Sequence, residues 1–257
     1  MPMNQRLEVF DDPVSDHLAE SSSLVVVEGF HAIKHILRFG GDVVHIFSSD
    51  VSRTHSLARS LAPDLVGVFL DRTCPISSAV LRKHAKQDVH TRTIGLARLP
   101  GWTLAEALPT PTRPAVLLEN PQNQGNIGAV VRVAKAAGAS GVILVGGDRD
   151  PFTAGAVRGA AGLQFALPTV ASALEDLGGH HVVLFSDQGE RFDPASLPQE
   201  CVFAYGTERD GATASLCDRA DQIVSLPMAD GVSSLNLATA VAASLYLHRY
   251  HVDAGEG

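Results

Sequence analysis

The sequence predicts an α/β protein with a parallel sheet in its C-terminal part and a smaller α/β domain before it. Three observations carry this. After residue 114, short and nearly continuous apolar runs are separated by helical or loop segments, as strands covered on both faces require. Before residue 99, apolar runs alternate with amphipathic patterns. Between the two lies LPGWTLAEALPTPTRP (99–114), which holds four of the fourteen prolines and reads as a connection between domains. The expected division is residues 1–100, a linker at 101–114, and residues 115–257.

In the first part, LVVVEG (24–29) is strand-like, FHAIKHILRF (30–39) is amphipathic and DVVHIFSS (42–49) is strand-like again. THSLARSLA (54–62), LVGVFL (65–70), PISSAVLRKHA (75–85) and RTIGLARL (92–99) continue the alternation, which makes a small α/β sandwich. In the second part the strands are AVLLE (115–119), GVILVG (141–146), HVVLFS (181–186), CVFAYG (201–206) and QIVSLPM (222–228). The final helical pattern, SLNLATAVAASLYLHRY (234–250), is apolar almost all round. So little polar surface predicts an interface, and hence a homodimer through the C-terminal domain.

A chain of 257 residues with 45% hydrophobic and 19% charged residues buries an ordinary core without disulfides or metals. The three cysteines, Cys74, Cys201 and Cys217, form no Cys-x-x-Cys pair, which fits a reducing cytoplasm and argues against a zinc ribbon. The N-terminus is too acidic and broken for a signal peptide. No apolar run approaches the ~20 residues that span a bilayer, so no membrane partner is expected. The net charge is −8, yet residues 29–100 carry ten Lys/Arg against five acids and six of the eleven histidines. A basic segment between two acidic ones points to contact with a polyanion.

Ligands of parallel α/β sheets bind at the carboxyl ends of the strands. Three such ends carry unusual sequence. NQGNIGAVVR (123–132) follows the strand AVLLE; its glycines allow a tight turn and close backbone approach, and helix capping alone does not account for Arg132. YGTERDG (205–211) follows CVFAY. LPMADGVSSLN (226–236) follows QIVS; Ser233 and Ser234 are placed to cap the last helix, which leaves Asn236 as an amide buried at the helix start and in need of partners. No Gly-x-Gly-x-x-Gly and no Gly-Lys-Ser/Thr occurs, so neither a dinucleotide fold nor a P-loop is indicated.

The order and spacing of these three motifs resemble the signature of the SpoU-type RNA 2′-O-ribose methyltransferases of the SPOUT superfamily. The resemblance covers roughly 115–250, and VEGFHAIKHILRFG near the start looks like that family's L30-like RNA substrate-binding domain. It implies a parallel sheet with a deep trefoil knot at its C-terminal end, S-adenosylmethionine as cofactor, a homodimer, and RNA as substrate. An accessory domain of this kind fits ribosomal RNA better than transfer RNA. By motif, the resemblance assigns cofactor contacts to Gly206, Leu226 and Leu235. It assigns the catalytic set to Asn126, Arg132, Glu208, Ser234 and Asn236. Gln124, Val133, Ala160 and Arg209 depart from the residues usual in the family. No metal is implied.

The chemistry follows from the reactants. A ribose hydroxyl is a poor nucleophile near neutral pH, so the protein must orient it and stabilise its developing charge. Arginine keeps its proton at that pH, which makes Arg132 an electrostatic partner for the alkoxide rather than a base. Asn126 and Asn236 would position the arginine and the hydroxyl, Ser234 its loop, and Glu208 its own loop against the other two. The readings that compete are a tRNA ribose methyltransferase and a non-catalytic RNA-binding module with a degenerate knot.

Overall fold

The computed structural model describes residues 11–85, 89–147, 150–207 and 209–255. The chain divides into two compact units, Met1–Leu99 and Pro100–Gly257.

The first unit runs α1 (Pro13–Glu20), β1 (Leu24–Glu28), α2 (Phe30–Arg38), β2 (Val43–Ser48), α3 (Val51–Leu61), α4 (Val66–Arg72), β3 (Thr73–Pro75), α5 (Ser78–His84) and β4 (Thr93–Arg98). Its sheet has the order β1-β4-β2-β3, antiparallel except for the β2–β3 pair. Val14 of α1 and Val80 and Leu81 of α5 pack on Phe47, Ile94 and Leu96 of the strands. Asp12 caps α1 and also takes hydrogen bonds from Lys83 and His84 of α5. Burial alone would raise its carboxyl pKa, but these bonds hold it well below the usual carboxylate range. Helix α2 buries Phe30, Ile33 and Ile36 and carries His31, Lys34, His35 and Arg38 at the i, i+3, i+4, i+7 spacing of one helical face. The run at 65–70, which the alternation places as a strand, is helical. Pro63 opens a 3₁₀ turn that leads directly into α4, and Phe69 is the residue it buries.

The second unit runs α6 (Leu104–Ala107), β5 (Ala115–Glu119), α7 (Gln124–Ala137), β6 (Val142–Val145), α8 (Ala154–Gly159), β7 (Thr169–Ser172), β8 (His181–Arg191), β9 (Cys201–Tyr205), α9 (Ala214–Arg219), β10 (Gln222–Ser225) and α10 (Leu237–Gly255). The six strands are parallel in the order β10-β8-β9-β5-β6-β7. Both faces are buried. Val116, Leu118, Val142, Leu144, Val183 and Phe203 share a cluster with residues of α7 and α10. Leu117, Ile143, Leu184 and Val202 share another with Ala107 and Leu216. This double covering is why the strands read as unbroken apolar runs.

Residues 101–114, expected as a linker, belong to this fold. Ala107 of α6 is fully buried, and Trp102 donates from Nε1 to the Gln164 carbonyl at 3.0 Å. The prolines punctuate a packed segment rather than a free tether.

Helix α7 buries Ile127, Val130, Val131 and Ala134 and ends on Gly138 in the left-handed region, φ 86°. Gly128 sits where α7 meets α8; a Cβ there would lie 2.4 Å from the Ala156 carbonyl oxygen. Helix α10 buries Val241, Ser244, Leu245 and His248 and leaves Tyr246, Leu247 and Tyr250 exposed. Among the described residues, no helix is long and apolar enough to cross a membrane.

Candidate active site

Strands β5, β8, β9 and β10 are neighbours in the sheet, so the segments leaving their carboxyl ends meet. The turn after β5 is organised by its amides. The Asn123 side chain caps α7, accepting from the amides of Gly125 at 2.8 Å and Asn126 at 3.2 Å. Gln122 donates to the Asn120 carbonyl at 3.0 Å, and Asn120 itself holds a positive φ of 43°. With these groups committed to the backbone, Asn126 is carried onto the first turn of α7, at the strand end.

After β9, Gly206 passes directly beneath the returning chain. A Cβ at Gly206 would stand 2.3 Å from the Ala212 nitrogen, so only glycine fits. Thr207 and Gly211 close the loop through a backbone bridge. The far end of the loop is tied down by Glu119, the last residue of β5. Its buried carboxylate accepts from the amide of Thr213 at 2.9 Å and from its hydroxyl at 2.5 Å.

After β10, residues 226–236 run without helix or strand until α10 begins. Asn236 caps that helix, its side-chain oxygen accepting from the Ala238 amide at 3.0 Å. The expectation that Ser233 and Ser234 do this, with Asn236 buried, is corrected here: Asn236 and both serines are exposed. The helix starts three residues later than its apolar pattern because Asn236 ends the extended run.

These segments enclose a cleft of about 440 Å³. Phe185 and Tyr205 form part of its wall, their rings stacked with centroids 5.1 Å apart. The Tyr205 hydroxyl makes a short buried hydrogen bond to Ser244 of α10. Burial pushes the Tyr205 pKa far up, so the hydroxyl stays neutral. Leu226, Met228, Leu235 and Ala240 add apolar wall, while Thr207, Ser233, Ser234 and Asn236 add polar groups. A cleft of this size and mixed lining suits a nucleoside-sized ligand.

Six of the eight site residues expected from sequence line this one cleft: Asn126, Gly206, Leu226, Ser234, Leu235 and Asn236. Arg132 is exposed on α7 and is not part of the lining. Glu208 lies outside the described residues. Two acids went unnoticed in the sequence. Asp187, just past the apolar run of β8, contributes the only carboxylate among the described lining residues. Glu119 ends an otherwise apolar strand, and an acid in that position needs a partner; that was the available signal. Among the described residues, no group of three or more His, Cys, Asp or Glu side chains could hold a metal ion.

A model of the SpoU rRNA Methylase family matches residues 113–246. The chain is 26% identical over 246 residues to the 23S rRNA (adenosine(1067)-2′-O)-methyltransferase of Streptomyces laurentii, covering 92% of this chain and 88% of that protein. It is 28% identical to the 23S rRNA (guanosine(2553)-2′-O)-methyltransferase RlmP of Bacillus subtilis, covering 86% of each. Among solved structures it resembles an AdoMet-bound rRNA methyltransferase from Sinorhizobium meliloti, with a TM-score of 0.72, 25% identity and coverage of 93% of this chain and 91% of that one.

Proposed function

Because the chain belongs to the SpoU rRNA methylase family, we propose that it transfers a methyl group from S-adenosylmethionine to a ribose 2′-hydroxyl of ribosomal RNA. The observation that carries this reading is the single cleft that gathers Gly206, Leu226 and Leu235 beside Asn126, Ser234 and Asn236. The two relatives described above are both named as 23S rRNA 2′-O-methyltransferases, and the Sinorhizobium structure holds AdoMet.

The residues present fit that cofactor. The Leu226, Met228, Leu235 and Ala240 walls suit an adenine ring, and the backbone around Gly206, which tolerates no side chain, suits a ligand held by main-chain groups. When bound, S-adenosylmethionine supplies a sulfonium-activated methyl group. The protein's own part is to orient the hydroxyl and stabilise its developing charge. Asn126 and Asn236 hold the hydroxyl end and Ser234 orders the 226–236 segment, while the family resemblance gives Glu208, which lies outside the described residues, a place in the catalytic set. Arg132 offers a guanidinium to the alkoxide. Since it does not line the cleft of its own chain, we assign it to the cleft of a partner subunit.

A homodimer through α10 accounts for this arrangement and for the exposed Tyr246, Leu247 and Tyr250. The family resemblance supports a deep trefoil knot in the C-terminal part of the parallel sheet. The first unit is read as an L30-like RNA-binding domain, supported by the His31, Lys34, His35, Arg38 face of α2. The ribosomal substrate and the free cysteines Cys74, Cys201 and Cys217 fit a cytoplasmic setting. The test is transfer of tritiated methyl from S-adenosylmethionine to bulk rRNA and tRNA. Label on rRNA that survives alkaline hydrolysis as a resistant dinucleotide is expected, and absence of label on both RNAs would refute the activity.

A further inference from the structure

A second cavity, of about 840 Å³, adjoins the cleft. It shares Asn126 and Thr207 with the first and is otherwise lined by Gln122, Asn123, Gln124, Arg209 and Asp210. Most of its polar groups are already engaged. Asn123 caps α7, and Gln122 donates to the Asn120 carbonyl. The Gln124 amide lies against Gly155, where a Cβ would be 2.6 Å from its oxygen. The Thr207 hydroxyl donates to the Gly211 carbonyl and accepts from the Asp210 amide. Among the described lining residues two charged side chains remain, Arg209 and Asp210, adjacent and exposed on the turn between Thr207 and Gly211. Neither has a hydrogen-bond or ion-pair partner among the described residues.

A carboxylate in a cavity that receives RNA is repelled by phosphate unless the ligand offers it donors. Guanine alone among the four bases presents two adjacent donors, N1–H and N2–H₂, which a carboxylate accepts together. Its O6 and N7 are acceptors that an arginine takes as a pair. Adenine and cytosine offer one amino group beside an acceptor, and uracil one N–H between two carbonyls. Sequence-specific RNA readers bind bases that are out of their stacks, with the Watson–Crick edge free.

We propose that this cavity receives the target base and that the base is guanine, with Asp210 accepting from N1–H and N2–H₂ and Arg209 donating to O6 and N7. The inference rests on the methyltransferase reading, since it places the target ribose at the shared wall formed by Asn126. Family membership does not decide the base, because one relative described above acts on adenosine and the other on guanosine.

The test starts from the full-length protein, tritiated S-adenosylmethionine and rRNA from cells lacking the gene. The labelled RNA is digested to nucleosides and separated. Label in 2′-O-methylguanosine is expected. Label in another 2′-O-methylnucleoside overturns the guanine assignment and leaves the methyltransferase reading standing. No label in any nucleoside defeats that reading, and the assignment with it. A second arm compares Asp210→Asn and Arg209→Ala with the wild type. Each should lose roughly 10–100-fold in kcat/KM for RNA, the scale of one bidentate base contact, with calorimetric S-adenosylmethionine affinity within twofold. Wild-type kcat/KM in both variants overturns the roles of these residues.

Discussion

The carboxylate of Glu119 accepts from both the backbone amide and the hydroxyl of Thr213, ninety-four positions further along the chain. One end of this clamp is the strand that leads into the Asn126 turn; the other is the N-cap of α9, where the loop from Gly206 ends. Glu119→Ala removes the charged acceptor that the Thr213 amide and hydroxyl share, a loss of about 1.5–3 kcal/mol that urea denaturation would register. Glu119→Gln should recover most of it, since one amide can accept from the backbone N–H and donate to the hydroxyl. Cofactor affinity should follow the same order. Equal stability of the alanine variant and the wild type would show that the clamp is idle.

Arg132→Ala should lower single-turnover methylation at least ~10²-fold, the scale for losing one charge-stabilising donor. Cofactor affinity should change by less than about fivefold, or ~1 kcal/mol. Arg132→Lys should rescue poorly because an ammonium lacks the planar fork of donors. Mixing Arg132→Ala subunits with Asn236→Ala subunits tests the shared site. Random pairing in a two-fold dimer should restore about a quarter of wild-type activity if the arginine serves the partner's cleft. No recovery would return Arg132 to its own chain.

Tyr246, Leu247 and Tyr250 are 49%, 46% and 79% exposed on one helix, an apolar surface that suits burial between subunits. Leu247→Glu combined with Tyr250→Asp should yield a monomer by light scattering at micromolar concentration, with methylation lost. A wild-type protein that is already monomeric would count against the interface and against the shared site together.

His248 is buried on α10 with its ring edge-on to Phe203, centroids 5.6 Å apart. Burial, and then the nearby His251, lower its pKa from 6.5. The folded protein therefore holds this ring neutral where the unfolded chain takes a proton, so stability falls as pH drops below about 6.5 and holds above it. His248→Phe should flatten that acid limb when melting temperatures are compared at pH 5.5 and 7.5. An unchanged difference would place the acid sensitivity elsewhere.

If the α2 face meets RNA phosphates, Lys34→Gln should weaken binding to all RNA sequences alike and reduce the salt slope by roughly one unit. A filter-binding series over 50–200 mM salt would read this. An unaltered slope would remove Lys34 from the interface.

Five of the six strands of the larger sheet were legible because burial on both faces leaves little choice but apolar residues. The edge strand Thr169–Ser172 was not, because its outer half is solvated and only Val170 reads as core. LVGVFL was misleading for the complementary reason: a short apolar run carries no period long enough to separate strand from helix. The cleft was legible through Gly206, Leu226 and Asn236, which sit in motifs. Glu119 was not, since its partner is far along the chain and only the fold brings them together. Asn236 shows that a correct residue can come with a wrong environment: the amide caps a helix in the open rather than being buried within one.

Apart from Asn126, the described residues that line the cleft fall between Phe185 and Ala240, and strand β9 must find β5 across nearly ninety residues. At a synthesis rate of about 5–20 residues per second, the roughly 55 residues from Phe185 to Ala240 take about 3–11 s to be made. Throughout that interval the residues of the first unit have all been made while the walls of the cleft are still incomplete. Pairings this remote in sequence also fold slowly once available. A chain stopped short of Ala240 thus has every residue of the N-terminal unit but an incomplete cleft, and ending it before Ser244 removes the partner that holds Tyr205 in the wall.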